Sequence, residues 1–290
     1  MSLLYRSIGI SKQAFHQHTN RYLKTLEEQQ QLLPLITQIR ADHPALSARQ
    51  MYFMLQPQTM GRDRFEQFCF EQGFKIARKR SWRRTTDSRG VTRFDNLLTG
   101  FELTGINQVY VSDITYYQIG DRFYYLTFIM DLYSRYITGY SASKYLLTEH
   151  TTMPALQMAI ANRTIPPGLI LHSDGGGQYY CKEFVALTGQ HHIKNSMCEV
   201  VYENSNAERV NGTIKNSYLE YYHPNDFKQL TSMLKKAVDM YNLKRPHQSL
   251  NRLSPAVFES LLTNGTVVHK EKKNQKKKQI ITTIVSLQTS

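Results

Sequence analysis

Three carboxylates stand where carboxylates are unexpected. Asp113 interrupts GlnValTyrValSerAspIleThrTyrTyr (108–117), and strand alternation puts it on the face of Val109 and Val111. A carboxylate there sits at a strand edge, is ligated, or is a plain solvent-facing aspartate, because a bare buried charge is costly. Asp174 directly follows the continuously apolar LeuIleLeuHis (169–172) and precedes Gly175-Gly176-Gly177. The carboxyl end of a sheet strand is where α/β folds place ligand-binding groups. The glycines either let backbone approach a large anion closely or form only a flexible turn. Glu208 lies in GluAsnSerAsnAlaGluArgValAsnGlyThrIleLys (203–215), and helical spacing puts Glu208, Asn211, Gly212 and Lys215 on one stripe. The bland alternative is a loose Glu208–Lys215 pair on a solvated helix.

Three carboxylates from separate elements suit Mg²⁺, with Mn²⁺ as a substitute, since these hard cations take oxygen ligands and leave positions for phosphate and water. Two such ions about 4 Å apart can activate an attacking oxygen and stabilise the leaving 3′ oxygen of an in-line displacement. A serine–histidine nucleophile is not indicated, because His172 and Ser173 are strand neighbours and point to opposite faces. Cys69, Cys181 and Cys198 have no CxxC spacing and read as reduced cysteines of a cytoplasmic protein.

The charge pattern names a polyanionic partner. The chain carries 36 Lys and Arg against 23 Asp and Glu, a formal +13. Between Lys75 and Arg93 eight basic residues, Arg78, Lys79, Arg80, Arg83 and Arg84 among them, face Asp87 alone. From Thr266 to Ser290 six lysines face Glu271 alone, which leaves the rest of the chain near neutrality. Both stretches are either DNA-facing or ordinary solvated linkers. No apolar run reaches the roughly 18 residues of a membrane span.

The carboxylates need a scaffold, and the hydrophobic pattern supplies one. Residues 1–75 read as helices: Leu32, Leu35, Ile36 and Ile39 recur at helical spacing, His43-Pro44 ends that helix, and Ser47 can cap the next. This region is either helix-turn-helix-like or a cap on the core. Strands are expected at 108–117, 123–130 and 135–141, with a break at Gly120-Asp121. A helix over 148–161, a buried strand over 169–172, a helix over 181–188, a short strand over 193–197 and helices over 206–218 and 227–241 follow. Periodicity fades after Ser260. The fold class is α/β, a mixed sheet flanked by helices and preceded by a small helical region.

Five segments occur in an order that resembles DDE-type transposases of bacterial insertion sequences, whose core is similar to that of retroviral integrases. They are AsnGlnValTyrValSerAspIleThrTyr (107–116), AspLeuTyrSerArg (131–135), HisSerAspGlyGlyGlyGlnTyr (172–179), AsnAlaGluArgValAsnGlyThrIleLys (206–215) and TyrAsnLeuLysArgProHisGlnSerLeu (241–250). The resemblance implies a ribonuclease H-like fold with Asp113, Asp174 and Glu208 as catalytic metal ligands. Tyr110 replaces the tryptophan usual in the family, and the spacing from Asp174 to Glu208 is shorter than is common, the loss falling around Glu199–Tyr202. Glu199 and Glu203 are the competing glutamates.

The implied division is a helical region (1–75), a basic connector (76–106), a catalytic core (107–225), a C-terminal helix with the YN..RPH segment (226–260) and a lysine-rich tail (261–290). DNA contacts are expected from the connector, from Gly176 and Gln178, from Arg209, Asn211 and Lys215, and from Lys244, Arg245 and His247. Arg245 can fork onto phosphate, while His247 donates to DNA or caps a helix. The implied activity is metal-dependent 3′-end cleavage and strand transfer on double-stranded DNA, at terminal inverted repeats and a target. A homo-oligomer and an upstream-frame helix-turn-helix protein or fusion are the implied partners. A nuclease that only hydrolyses and a DNA-binding accessory protein with an idle core are the alternatives.

Overall fold

A computed structural model of the protein describes residues 9–76, 94–198 and 204–264. The connector residues Arg78, Lys79, Arg80, Arg83 and Arg84, most of the lysine-rich tail, and Glu199 and Glu203 lie outside the described residues.

Helix α1 (Lys12–Asp42) starts where Ser11 accepts the Ala14 N–H and stops at His43, ahead of Pro44. Helix α2 (Ala48–Leu55) is opened by a capping box between Ser47 and Gln50, and α3 (Arg62–Glu71) follows Gly61. Ile36, Leu46, Met51, Phe65 and Cys69 make a separate small core from these helices. Leu35, a member of the expected stripe, is exposed. The helices also reach the rest of the chain: the His43 ring hydrogen-bonds the Tyr218 hydroxyl at 2.8 Å, and Asp42 pairs with Lys244 at 2.9 Å.

Strands β1 (Val109–Ile119) and β2 (Arg122–Asp131) form a hairpin through Gly120-Asp121, where glycine takes the positive φ of a two-residue turn. Strand β3 (Ile137–Ser143) adds antiparallel to β2. Helix α4 (Thr152–Asn162) then crosses over to β4 (Ile170–Ser173), which lies parallel to β1. A Cβ on Gly139 would collide with the Ala155 carbonyl at 2.1 Å, so glycine lets α4 lie against β3. Helix α5 (Lys182–Gln190) leads to β5 (Lys194–Met197), parallel to β4. The order β3-β2-β1-β4-β5 is the ribonuclease H-like mixed sheet.

Alternation along β1 divides the core. Val109 and Val111 face the helices α6 (Ser205–Ile214) and α7 (Phe227–Leu243), with Ala207, Val210, Ile214, Leu230 and Leu234. Tyr110 faces the opposite layer with Ala155, Leu156 and Phe184.

Two features depart from the sequence reading. Helix α6 continues through a π turn (Lys215–Leu219) to Tyr222 instead of ending as one regular helix at Tyr218. A further helix, α8 (Pro255–Thr263), runs past Ser260, capped by Ser254 and carrying proline in its first turn. No helix among the described residues is long and apolar enough to cross a membrane.

Candidate active site

The last β1–β4 pair is Ser112 with Ser173. Asp113 and Asp174 are the next residues on two parallel strands about 4.8 Å apart, so the register alone makes them neighbours. Two side chains fix β1 just before Asp113: Tyr179 meets the Ser112 hydroxyl at 2.9 Å, and the Asn204 amide donates to the Ser112 carbonyl at 3.0 Å. The Asp174 carboxylate accepts the Gly176 N–H at 3.2 Å, and a Cβ on Gly176 would crowd that oxygen at 3.1 Å.

Helix α6 brings the third group. Ala207, Val210 and Ile214 are its buried stripe. On one flank Asn211 donates to Asp113 Oδ2 at 2.7 Å, and Lys215 donates to Thr115 at 2.9 Å beneath the Tyr116 ring. Glu208 is exposed in the first turn of this same flank. The expected stripe therefore faces β1, and Lys215 is engaged with Thr115; no Glu208–Lys215 pair forms among the described residues.

Burial pushes the Asp113 carboxyl up to about 8, and the charges of Asp174 and Glu208 add to the rise; the Ile114 N–H and Asn211 oppose it. Asp174 is also raised, by burial first and by Glu208, against the Gly176 N–H. Lys215 is lowered by burial. The three carboxylates thus feel one another, a situation a hard divalent cation relieves. Yet no group of three His, Cys, Asp or Glu among the described residues is drawn close enough to enclose a metal ion. Both observations hold, because charges interact over many ångströms while ligation needs about 2 Å. Asp113 and Asp174 are hard-oxygen donors of the kind a divalent cation takes, and the charge of Glu208 acts on both from the exposed first turn of α6.

The other predicted residues lie away from the carboxylates, with Arg209, Arg245 and His247 around one cleft. Gln178 donates to the Leu146 carbonyl at 3.2 Å, Lys244 is held by Asp42, and Arg209 is exposed. The Arg245 guanidinium lies 5.7 Å from the centre of the Tyr218 ring. His247 stands at the start of a short turn without a side-chain capping hydrogen bond, its ring against Tyr241 and pushed down to about 3 by burial and by Arg245. Sequence reasoning missed Asn204, Tyr179 and Arg135. Asn204 carried a faint signal as an amide placed just before the Glu208 helix. Arg135 ends AspLeuTyrSerArg (131–135), whose Asp131 accepts three backbone N–H groups, from Asn107, Tyr133 and Ser134, and builds the turn that carries it.

Comparison with known proteins places these residues in a family context. Two models described as integrase core domain match residues 104–202 and 192–255. The chain is 34% identical over 204 residues to the insertion element IS600 uncharacterized 31 kDa protein of Shigella sonnei, covering 69% of this chain and 75% of that protein. It is 32% identical over 178 residues to the transposase InsF for insertion sequence IS3A of Escherichia coli, covering 60% of this chain and 61% of the transposase. A solved structure of the HTLV-2 integrase catalytic core domain in complex with magnesium is similar at 26% identity and a TM-score of 0.44, over 52% of this chain and 95% of that one.

Proposed function

The chain belongs to the integrase-core family of DDE transposases, and from that premise we propose that it cleaves 3′ ends of an insertion-sequence element and transfers them to target DNA. Chemistry of the polynucleotidyl-transferase type follows from membership of the family. One observation carries the finer reading: Asp113 and Asp174 emerge side by side where two parallel strands part, with the Glu208 helix tied to Asp113 through Asn211.

Asp113, Asp174 and Glu208 would hold Mg²⁺, or Mn²⁺ in its place, which when bound supplies Lewis-acid activation of the attacking and leaving oxygens. Asn211 holds the Asp113 carboxylate in one orientation. Lys215, fixed by Thr115, keeps a positive charge beside the path of the scissile strand. Gly176 leaves room for the DNA backbone next to Asp174. Lys244, Arg245 and the connector arginines are proposed as phosphate contacts outside this centre, His247 as support for their segment, and the five regions named above as the division of the chain. Terminal inverted repeats and target duplex are the substrates, with further copies of the chain or an upstream-frame helix-turn-helix protein as partners.

The test is incubation of the full chain with Mg²⁺, labelled element-end DNA and an unlabelled target. Nicked 3′ ends followed by joined product are expected. Nicks without joining would make it a hydrolytic nuclease, and intact DNA beside tight binding would make it an accessory protein.

A further inference from the structure

The flank of α6 turned away from Asp113 is built for an anion. Asn206, Arg209 and Thr213 lie along it, and they line a cavity of about 170 Å³ with Arg135 and Arg245. Three guanidinium groups thus arrive from three places: the turn after β2, helix α6 and the segment after α7. Arg135 is delivered by a backbone in the left-handed region (φ 64°), and its Nη1 donates to Asn206 at 2.7 Å.

The positive charge is not neutralised locally. None of the three arginines forms an ion pair among the described residues. Asp131 is the carboxylate that acts on Arg135, and its oxygens already accept three backbone N–H groups. Arg245 Nη1 and His247 Nε2 are buried at the cavity with no hydrogen-bond partner among the described residues. A buried guanidinium N–H without an acceptor is costly, so the arrangement calls for an acceptor from outside.

We propose that this cavity holds one phosphate group of the DNA backbone, gripped by Arg135, Arg209 and Arg245. Guanidinium forks match tetrahedral oxyanions, and two or more can share one phosphate. A cleft of about 170 Å³ has room for one phosphate group. Arg209 directly follows Glu208, so a strand anchored here is fixed to the helix that carries the third carboxylate. The proposal rests on the DNA-transfer reading for the source of the phosphate, but the cavity can be tested without DNA.

The experiment compares the full chain with Arg209→Gln and with Ser249→Glu, which places a carboxylate on the cavity lining. Inorganic phosphate is titrated against chloride at equal ionic strength while Tm is followed. Phosphate is expected to raise Tm of the parent chain and to do so much less in both variants. Element-end DNA is then scanned with a single neutral methylphosphonate at each position. One position should weaken parent binding about tenfold yet matter little in Arg209→Gln, and the variant's slope of log affinity against log salt should fall by about 0.9. An equal phosphate effect in all three proteins, or none, overturns the cavity as an anion site, even if end cleavage proceeds and the functional reading stands. A phosphate effect confined to the parent, with no variant-sensitive methylphosphonate position, assigns the cavity to free phosphate and overturns the DNA source.

Discussion

Replacing Asp113 with asparagine should stabilise the cation-free protein, because the native carboxyl is held against its own ionisation. Its folded value near 8 lies above the ordinary value of 3.8 that the unfolded chain has. Between those limits the unfolded state releases the proton first, so native stability falls as pH rises from about 4 through about 8. At pH 7 the difference is roughly three units at about 1.4 kcal/mol each, a ceiling of about 4 kcal/mol, which solvent at a half-buried carboxyl reduces to about 2. Asparagine keeps the shape and an acceptor for Asn211 without the charge. The expected gain is about 2 kcal/mol, or 4–8 °C in Tm, at pH 8 and close to zero at pH 4. Thermal unfolding in EDTA from pH 4 to 8.5 measures it. Mg²⁺ should raise Tm of the parent most at the alkaline end and scarcely move the variant. A parent and variant with parallel pH profiles, or a variant less stable at pH 8, would refute the placement of Asp113 in a crowded carboxylate site.

His43, fully buried against Tyr218, is pushed down to about 4 by burial and by Arg245. The unfolded chain takes up its proton first as pH falls from 6.5 to 4, so stability is full above 6.5 and drops by about 1.4 kcal/mol per pH unit below it. Urea unfolding of His43→Asn should show a shallower acid slope than the parent, and an unchanged slope would remove His43 from that transition. Neutralising Arg78, Lys79, Arg80, Arg83 and Arg84 together should weaken DNA binding on every sequence and flatten its salt dependence, since each phosphate contact releases counterions. An unaltered slope would take the connector off the DNA.

The local parts of this molecule were readable because they follow from neighbours in the chain. The apolar run of Val109, Tyr110 and Val111 marks a strand, Gly120-Asp121 marks the break between two strands, and Ser47 marks a helix start. The Glu208, Asn211 and Lys215 stripe follows from helical spacing, while its direction toward β1, through Asn211 and Lys215, comes from the packing. What could not be read depends on partners distant in the chain. The parallel register of Ser112 with Ser173 makes Asp113 and Asp174 neighbours, and nothing within either segment states it. Arg135, Arg209 and Arg245 meet only once the turn after β2, helix α6 and the segment after α7 are packed together. The π turn at Lys215–Leu219 has no compositional mark, while Tyr218 inside it meets His43 from far upstream. Helix α8 was obscured because a nine-residue helix beside a lysine-rich tail offers few turns of pattern, although Ser254-Pro255 is a fair start signal.

The most direct test of catalysis by the carboxylate trio is Glu208→Gln, assayed on intact and on pre-nicked element ends with Mg²⁺ and then Mn²⁺. Glutamine keeps the size of an exposed side chain and removes only its charge, so Tm and end-DNA affinity should stay close to those of the parent. An exposed helix residue without a functional role would cost at most a few tenths of a kcal/mol and leave the rate intact. Loss of both nicking and joining by orders of magnitude, beside preserved folding and binding, is the expected result. Near-normal cleavage would contradict it and return the third ligand to Glu199 or Glu203.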